Sequence, residues 1–169
     1  MNGPTITRGY APDAIDRVVA LHGVYYREHW GFGPYFETKV ARELGEFFAR
    51  YDPERDGFWT LTAGGVVHGA IAIDGLHAGT DGAHLRWFIV SDDWRGQGAG
   101  RALLGSAMDF CRACGYTRVY LWTFAGLDPA RHLYEDAGFR LAEEARGTTW
   151  GTEVTEQRFV CALAPRDGR

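Results

Sequence analysis

Hydrophobic residues recur at helical spacing in four stretches of the chain, and shorter apolar blocks of strand type lie between them. The first helix opens at Pro12, a first-turn position where a missing N–H costs nothing. Further helices are predicted at about residues 37–49, 98–114 and 129–137. Strands are predicted at residues 5–10, 58–62, 66–73, 83–90, 119–124, 139–143 and 154–163.

Two breaks in this pattern indicate turns. The segment 25–36 is crowded with aromatic residues, and Gly31, Gly33 and Pro34 interrupt the helical spacing there. It is therefore predicted to be a loop or a helix end. The glycines at 64–65 supply the positive φ angles that a tight hairpin turn requires.

The order of strands and helices predicts one α/β sandwich domain with a mixed sheet over the whole chain of 169 residues. The strand at 119–124 does not alternate, as expected of a strand covered on both faces. On the strand at 83–90, alternation puts four side chains on one face. They are His84, Arg86, Phe88 and Val90.

A glycine-rich turn between the strand at 83–90 and the helix at 98–114 carries the clearest chemical signal. Glycine stands at positions 96, 98 and 100, so consecutive backbone N–H groups can form a concave surface without interference from Cβ atoms. Such a nest at a helix N-terminus binds anions, above all phosphate. The dinucleotide fingerprint is excluded because it needs glycine at Arg101, and no G-x-x-x-x-G-K-[ST] loop occurs.

Composition narrows the choice of partners. The chain is 46% hydrophobic and 24% charged with a formal net charge of −4, and no cluster of lysine or arginine exceeds two neighbours. A nucleic acid or an anionic membrane is therefore not expected as a partner, whereas mild acidity suits a cationic amine. No apolar run reaches membrane-spanning length and no signal-peptide layout is present, so a cytoplasmic location is predicted.

Three cysteines fit a reducing compartment. Cys111 and Cys114 form a C-x-x-C pair, a spacing found in redox and zinc sites. Both, however, lie in a helical pattern, with no second pair and no histidine nearby. Ordinary helix packing is therefore predicted, with no metal site, and Cys161 is predicted to lie in the core.

Two motifs resemble the GCN5-related N-acetyltransferases (the GNAT family). The family's acetyl-coenzyme A signature, Q/R-x-x-G-x-G/A, is met by residues 95–100, and its L-Y-x-x-x-G-F segment by residues 133–139. The resemblance implies a three-layer sandwich with a central mixed, mostly antiparallel sheet flanked by helices. The segment 85–144 is especially similar to the acetyltransferase halves of bacterial MarR-GNAT fusion proteins, although no DNA-binding half is present in this sequence.

The resemblance implies acetyl-CoA as co-substrate. Strand residues Phe88, Ile89 and Val90 would offer backbone groups to the pantetheine arm, and the Val90 N–H would polarise the thioester carbonyl. A preorganised donor of this kind contributes about 3 to 4 kcal/mol. The pyrophosphate would lie against the glycine turn, formed by Arg95, Gly96, Gln97, Gly98, Ala99, Gly100 and Arg101.

Two further coenzyme contacts come from the resemblance. Tyr134 matches the family tyrosine that lies near the coenzyme sulfur and acts as general acid in many members; the alternative is a hydroxyl that merely caps the core. Asp128 stands about where many relatives carry an asparagine that binds pantetheine. An N-cap role for Asp128 at the helix beginning near residue 129 is the alternative.

Deprotonation of the amine needs a base or a water chain, because an amine with a pKa near 10.4 is costly to neutralise at pH 7. His84 lies where several relatives place a catalytic glutamate, and an unperturbed histidine suits the task. Glu28 and His29 are competing candidates. A structural role for His84, or a solvated helix end for Glu28 and His29, is the alternative.

The acceptor is predicted to bind beside the aromatic segment. Tyr26, Trp30, Phe32 and Trp122 could stack on a cationic amine, with His29 at the same wall; alternatively these aromatics are core or an oligomer contact. Arg86 could pair with a carboxylate on the acceptor. A homodimer is possible, since dimers are common in the family.

The sequence therefore predicts an N-acetyltransferase that transfers an acetyl group from acetyl-CoA to a primary amine by direct attack in a ternary complex. A non-catalytic module that binds or senses acyl-CoA, retaining the glycine turn without a competent base, is the alternative. A redox or zinc protein using Cys111 and Cys114 is a third interpretation.

Overall fold

A computed structural model describes residues 3–10 and 12–164. Within these residues, seven strands and four α-helices follow one another. In chain order they are β1 Thr5–Arg8, α1 Pro12–Trp30, α2 Pro34–Ala49, β2 Gly57–Ala63, β3 Val66–Asp74, β4 Ala83–Val90, α3 Ala99–Ala113, β5 Arg118–Phe124, α4 Asp128–Asp136, β6 Arg140–Gly147 and β7 Val154–Ala162. A short 3-10 helix, Asp92–Trp94, precedes α3.

The strands form one sheet in the order β1-β2-β3-β4-β5-β7-β6. Only the β4–β5 pair is parallel, and every other neighbouring pair is antiparallel. This arrangement confirms the predicted mixed, mostly antiparallel sheet. The one pair of neighbouring strands that run in the same direction, β4 and β5, therefore lies at the centre of the sheet.

Helices cover both faces of the sheet and bury two hydrophobic cores. On one face, α3 buries Leu103 in a cluster that also contains Ile71 and Phe159. On the other face, α1 and α2 bury Val18 and Leu44 with strand residues such as Phe58. Complete burial of one such side chain stabilises the fold by roughly 1.5 to 3 kcal/mol, so the two cores hold the helix layers on the sheet.

The aromatic segment 25–36 is mostly helical, because the break between α1 and α2 is shorter than predicted. Gly31, with φ 68°, ends α1 in the left-handed conformation, and its N–H donates to the carbonyl of Arg27 at 3.1 Å. Pro34 then occupies the first turn of α2, where it lacks only a donor that would be unpaired. No helix of the described chain combines the length and apolarity that a bilayer crossing needs.

Candidate active site

The sheet opens between its two parallel strands. β4 and β5 pair only at their starts, where Ala83 lies opposite Val119 and His84 opposite Tyr120. Beyond His84 the two strands diverge, so the edge of β4 from residues 85 to 90 has no strand partner on that side. The backbone that the family resemblance assigns to pantetheine lies along this edge.

A β-bulge in β4 changes which side chains share a face. Ala70 of β3 pairs with Ile89 but Ala72 pairs with Arg86, so Trp87 and Phe88 together oppose one residue of β3. Trp87 adopts φ 51°, a left-handed conformation that is strained for a bulky side chain. The bulge is thus one residue of extra chain placed in the middle of the strand.

The predicted common face of His84, Arg86, Phe88 and Val90 is therefore wrong. Arg86 reaches Glu43 on α2, whereas Phe88 and Val90 pack with the core under α3. The bulge reverses the alternation between these two pairs. Regular alternation cannot reveal an inserted residue, because the insertion depends on the register with β3.

A cavity of about 740 Å³ occupies the split and runs from the glycine turn to the loop between β6 and β7. Eleven of the predicted site residues line it: Tyr26, His84, Arg86, Phe88, Ile89, Val90, Arg95, Gly96, Gly100, Trp122 and Tyr134. Its volume is that of a site for a small ligand. Its walls are largely aromatic and aliphatic, with a few charged groups at defined positions.

The glycine turn presents free backbone donors. Across residues 96–101 no main-chain N–H donates to another group of the described chain, and intrahelical bonding resumes with Ala102, which donates to Gly98 at 3.0 Å. Gly96 and Gly98 adopt φ 73° and 82°, and a Cβ at either position would meet only open space. Left-handed backbone, not crowding, requires glycine at these two positions.

Gly100 is needed for a different reason. A Cβ at this position would come within 3.0 Å of Leu133 Cδ1 and 3.4 Å of Phe88 Cζ. The absence of a side chain therefore lets α3 approach β4 and α4 closely. The free N–H groups of Ala99, Gly100 and Arg101 belong to the first turn of α3, the end at which a helix favours anions.

Arg95 folds back onto the end of β4. Its Nε and Nη2 atoms donate to the Val90 carbonyl at 3.0 and 2.9 Å, and its guanidinium lies 4.1 Å from the centre of the Tyr25 ring. Arg95 also pairs with Asp92 at 3.1 Å. The side chain thus fixes the entry to the glycine turn against α1.

Tyr134 lies on α4 with its ring buried against Phe139 and Phe159. Its hydroxyl makes no hydrogen bond within the described residues, and the residue lines the cavity beside Phe88. Burial raises the pKa of the Tyr134 hydroxyl, with a smaller contribution from the nearby Tyr26. The group therefore remains a proton donor throughout the physiological range.

His84 faces the cavity and stacks on Tyr120, with 4.5 Å between ring centres. Burial, followed by the nearby positive charge of Arg86, lowers the pKa of His84 to about 3. A neutral imidazole of this kind accepts hydrogen bonds but binds a proton weakly. Moving a proton to it from an amine of pKa near 10.4 costs on the order of 10 kcal/mol.

Arg86 is part of an ion-pair chain between α2 and the sheet. Its guanidinium donates to Glu43 at 3.1 Å and to Asp74 at 3.2 Å, and Asp74 also accepts from Arg50 at 3.0 and 2.6 Å. Lys39 pairs with Glu43 as well. The positive charges on this wall of the cavity are therefore already matched by carboxylates.

Glu28 and His29 do not line the cavity, although the His29 ring lies 4.6 Å from that of Tyr25, which does. His29 Nε2 is 3.6 Å from a carboxylate oxygen of Asp92, and Glu28 lies close to both. All three side chains are exposed. This arrangement joins the end of α1 to the 3-10 helix before the glycine turn.

The predicted acceptor aromatics divide into two groups. Phe32 is 3% exposed and packs against Tyr26 and Phe124, and Trp30 packs edge-on to Phe124. These two rings do not line the cavity but contact the aromatic residues that do. Tyr26 and Trp122 line the cavity, and Trp122 is 41% exposed.

The alternative role of Asp128, as the N-cap of α4, is wrong. The N-cap is Leu127, and Asp128 is the first helical residue, exposed and without a capping hydrogen bond from its side chain. Pro129 follows it in the first turn of α4, where the fixed φ angle of proline suits the start of a helix.

Cys111 packs in the core under α3, as ordinary helix packing predicts, and burial raises its thiol pKa to about 12. A thiol of that kind is a poor nucleophile and a poor metal ligand.

Two of the polar residues that line the cavity and that sequence reasoning missed are His22 and Glu156. His22 on α1 is 4% exposed, and its Nδ1 lies 2.9 Å from the Val18 carbonyl, which leaves Nε2 as the acceptor. Glu156 on β7 accepts from Thr149 in the loop before it. Neither position has a motif; both reach the cavity only through tertiary packing.

Comparison with known proteins identifies relatives of this chain. The profile of the family described as "Acetyltransferase (GNAT) family" matches residues 15–139. An uncharacterized N-acetyltransferase of Methanocaldococcus jannaschii is 27% identical over 146 residues, covering 83% of this chain and 62% of that protein. N-acetyltransferase 8 of Rattus norvegicus is 32% identical over 135 residues, covering 76% of this chain and 61% of that protein. The chain thus spans somewhat less than two thirds of these relatives' lengths.

Solved structures share the fold. A GNAT-family acetyltransferase from Staphylococcus aureus Mu50 superposes with a TM-score of 0.76 at 16% identity, covering 96% of this chain and all of the other. A Salmonella typhimurium protein solved with acetyl-CoA as its cofactor gives a TM-score of 0.72 at 17% identity, covering 98% of each chain. The match of the family profile to most of the chain, together with this fold, shows that the protein belongs to the GNAT family of acetyltransferases.

Proposed function

We propose that the protein transfers an acetyl group from acetyl-CoA to a primary amine by direct attack in a ternary complex. The observation that carries the proposal is a cavity that joins three parts. It reaches Gly96 and Gly100 of the glycine turn, whose amides at 96–101 are free, it follows the unpaired edge of β4, and it ends beside the unpartnered hydroxyl of Tyr134. An acetyl thioester held by the first two parts would lie beside the third.

The chain's own groups divide the work as follows. The amides of Gln97, Gly98 and Ala99, with the first turn of α3, would hold the diphosphate. The backbone of β4 at residues 88–90 would align the pantetheine arm, with the Val90 N–H directed at the thioester carbonyl. A donor placed at the developing oxyanion lowers the barrier by about 3 to 4 kcal/mol.

The chemical step is a substitution at the acetyl carbon. The amine nitrogen forms a bond to this carbon, the carbon–sulfur bond breaks, and the departing thiolate takes the hydroxyl proton of Tyr134. The amine loses one proton to bulk solvent before it attacks, which costs about 5 kcal/mol at pH 7 for an amine with a pKa near 10.4. After the attack, the nitrogen gives its second proton to the Tyr134 oxygen, which restores the hydroxyl. His84 is too weak a base to hold either proton. His84 then serves as a neutral acceptor that orients the nucleophile, while Glu28, His29 and Asp128 lie outside this scheme.

Release of free CoA thiol from acetyl-CoA, measured with a panel of primary amines, tests the proposal. We expect thiol release that depends on the amine. A protein that is stabilised thermally by acetyl-CoA but releases no thiol with any amine would be the alternative, a module that binds or senses acyl-CoA.

Three finer points remain predictions within this proposal. The special likeness to the acetyltransferase halves of MarR-GNAT fusion proteins concerns residues 85–144. A cytoplasmic location suits the free thiols of Cys111 and Cys161. A homodimer is tested directly by the mass of the protein in solution.

A further inference from the structure

Two carboxylates line the cavity, and they are held differently. Glu43 pairs with Lys39 and Arg86. Glu156 forms no ion pair within the described residues, and its two oxygens accept from the Thr149 N–H at 2.9 Å and the Thr149 hydroxyl at 2.8 Å. A partly buried carboxylate with only neutral donors lacks the counter-charge that usually accompanies it.

The charged groups around Glu156 are already committed to other partners. Arg158, two residues along the same face of β7, pairs with Glu143 at 3.5 Å and stacks over Tyr120. On the opposite wall of the cavity, Arg86 is matched by Glu43 and Asp74. No positive charge of the described chain therefore neutralises Glu156.

The surroundings of Glu156 suit an organic cation. Glu156 lies opposite Phe124 across the β5–β7 pair, and Trp150 packs on Phe124 with 5.6 Å between ring centres. Trp122 lines the same end of the cavity and is 41% exposed. Aromatic faces beside a carboxylate attract a desolvated ammonium group by both charge and cation–π interaction.

This cation cannot be the amine that reacts. β5 lies between β7 and β4, and β4 parts from β5 beyond His84, so the backbone at Glu156 is at least two strand spacings, about 10 Å, from the backbone that would align the thioester. A carboxylate next to an ammonium also raises the pKa of that ammonium and keeps it protonated, which opposes nucleophilic attack. Glu156 is therefore suited to a group at the far end of the acceptor.

We infer that Glu156 recognises a second cationic group on the acceptor, so that the preferred acceptor is a diamine. One amine attacks the thioester in the split between β4 and β5, and the other binds Glu156 between the aromatic side chains of β5 and the loop after β6. This inference rests on the proposed function and names the class of its acceptor.

The test compares cadaverine with n-pentylamine, which has the same chain but only one amine. With the wild-type protein we expect kcat/KM to be at least tenfold higher for cadaverine, chiefly through a lower KM, as befits one charge-assisted contact. In Glu156→Gln this ratio should fall to near one, while kcat/KM for n-pentylamine stays within about twofold.

Glu156→Gln suits this purpose because its amide oxygen can still accept from the Thr149 N–H. Its NH2 can donate to the Thr149 hydroxyl, which turns to accept, so the loop should remain in place. Two controls separate charge from structure. Glu153→Gln removes an exposed carboxylate that pairs with Arg146, and Thr149→Val removes a hydrogen bond to Glu156 but keeps its charge. Both should preserve the preference for cadaverine.

Calorimetric titration of each amine into the protein with free CoA present separates this inference from the proposed function. Tighter binding of cadaverine that Glu156→Gln abolishes supports the inference even if no acetyl group is transferred. Equal binding and turnover of the two amines by the wild-type protein overturns it while leaving the acetyltransferase proposal intact. An equal loss for both amines in Glu156→Gln also overturns it, because Glu156 would then act on the amine that both share.

Discussion

Two tyrosine hydroxyls of this protein have opposite surroundings. Tyr134 places its hydroxyl at the cavity with no hydrogen-bond partner in the described chain. Tyr116 donates its hydroxyl proton to the Arg55 carbonyl at 2.7 Å and does not line the cavity. A hydroxyl that the fold does not use for its own stability is available for chemistry, so the two residues should respond differently to loss of the oxygen.

Tyr134→Phe should lower kcat by about 100-fold or more, because a positioned general acid contributes roughly 10² to 10⁴ in rate. The affinity for acetyl-CoA should change little, and the free energy of unfolding should not fall, since no hydrogen bond within the fold is lost. Steady-state kinetics and urea unfolding measure both effects. An unchanged kcat would remove Tyr134 from the mechanism.

Tyr116→Phe is the matched control. Loss of its hydrogen bond to Arg55 should cost about 1 kcal/mol of stability while leaving kcat unchanged. If both variants lost stability and activity together, the hydroxyl of Tyr134 would have a structural role in place of the catalytic one.

Individual site residues differ in how well the sequence predicts them. The glycines at 96, 98 and 100 and Tyr134 can be recognised from their spacing in the sequence. Their positions depend on the local backbone conformation and on the phase of one helix, which the neighbouring residues determine. His22 and Glu156 carry none, since their positions at the cavity depend on how α1 and the loop after β6 pack. The low proton affinity of His84 was equally hidden, because burial arises only in the folded protein.

At the scale of elements, the glycine turn can be tested apart from the fold. Gly98→Glu should abolish binding of acetyl-CoA, because a carboxylate would stand among the donors that face the diphosphate. The open space around Gly98 means that the folded structure should persist. Calorimetric titration with acetyl-CoA measures the loss, and circular dichroism checks the fold.

Gly98→Ala provides the control for backbone strain. It imposes the same left-handed conformation on a residue with a Cβ, at a cost of about 1 to 2 kcal/mol, but adds no charge. It should reduce stability more than affinity. Retained affinity in Gly98→Glu would count against the phosphate-binding role of the turn.

The junction of α2 with the sheet depends on Asp74. This carboxylate is 7% exposed and accepts hydrogen bonds from Arg50, Arg86 and the Leu76 N–H. Burial alone would raise the pKa of Asp74, but the hydrogen bonds from Arg50, with Leu76 and Arg86, bring it below its ordinary value. The net effect shows that the ionised form is the one that the fold stabilises.

Asp74→Asn should destabilise the protein by about 2 to 3 kcal/mol, because two guanidinium groups lose a partly buried partner. Urea unfolding measures the change. Asp109→Asn breaks the exposed pair of Asp109 with Arg112 and should change stability by less than about 0.5 kcal/mol. Equal effects of the two substitutions would mean that the Asp74 junction contributes no more than a surface pair.

Elements as a whole were predictable, and their irregularities were not. Helical spacing and glycine breaks placed α2, α3 and α4 to within three residues, because each depends on local pattern, whereas α1 runs on to Trp30. The bulge at Trp87 and the parting of β4 from β5 create the site, yet both depend on register between strands. A single strand's sequence contains no information about its partner's register.

At the scale of the whole molecule, the fold buries two histidine side chains, His22 and His84. His22 is buried between α1 and α2, and His84 stacks on Tyr120 at the cavity wall. Burial lowers the pKa of His22 to about 4, against a smaller opposing effect of its hydrogen bond to Val18. The folded protein therefore holds both imidazoles neutral at pH values where the unfolded chain binds protons.

Stability should consequently fall as the pH is lowered from about 6.5 towards 4. In that window the unfolded chain protonates both histidines and the folded chain does not, so unfolding takes up protons and becomes more favourable. With a folded pKa of about 4 and an ordinary value of 6.5, His22 alone accounts for about 2 to 3 kcal/mol of the loss. Urea unfolding at pH 7 and pH 4.5 measures the total.

His22→Met replaces the imidazole with an apolar side chain of similar size. The free energy of unfolding of this variant should fall by about 2 to 3 kcal/mol less than that of the wild type between these pH values, and His84→Gln should behave likewise. A His22→Met protein as acid-sensitive as the wild type would show that its imidazole is protonated in the folded state, and that α1 opens to water far more than its packing on α2 implies.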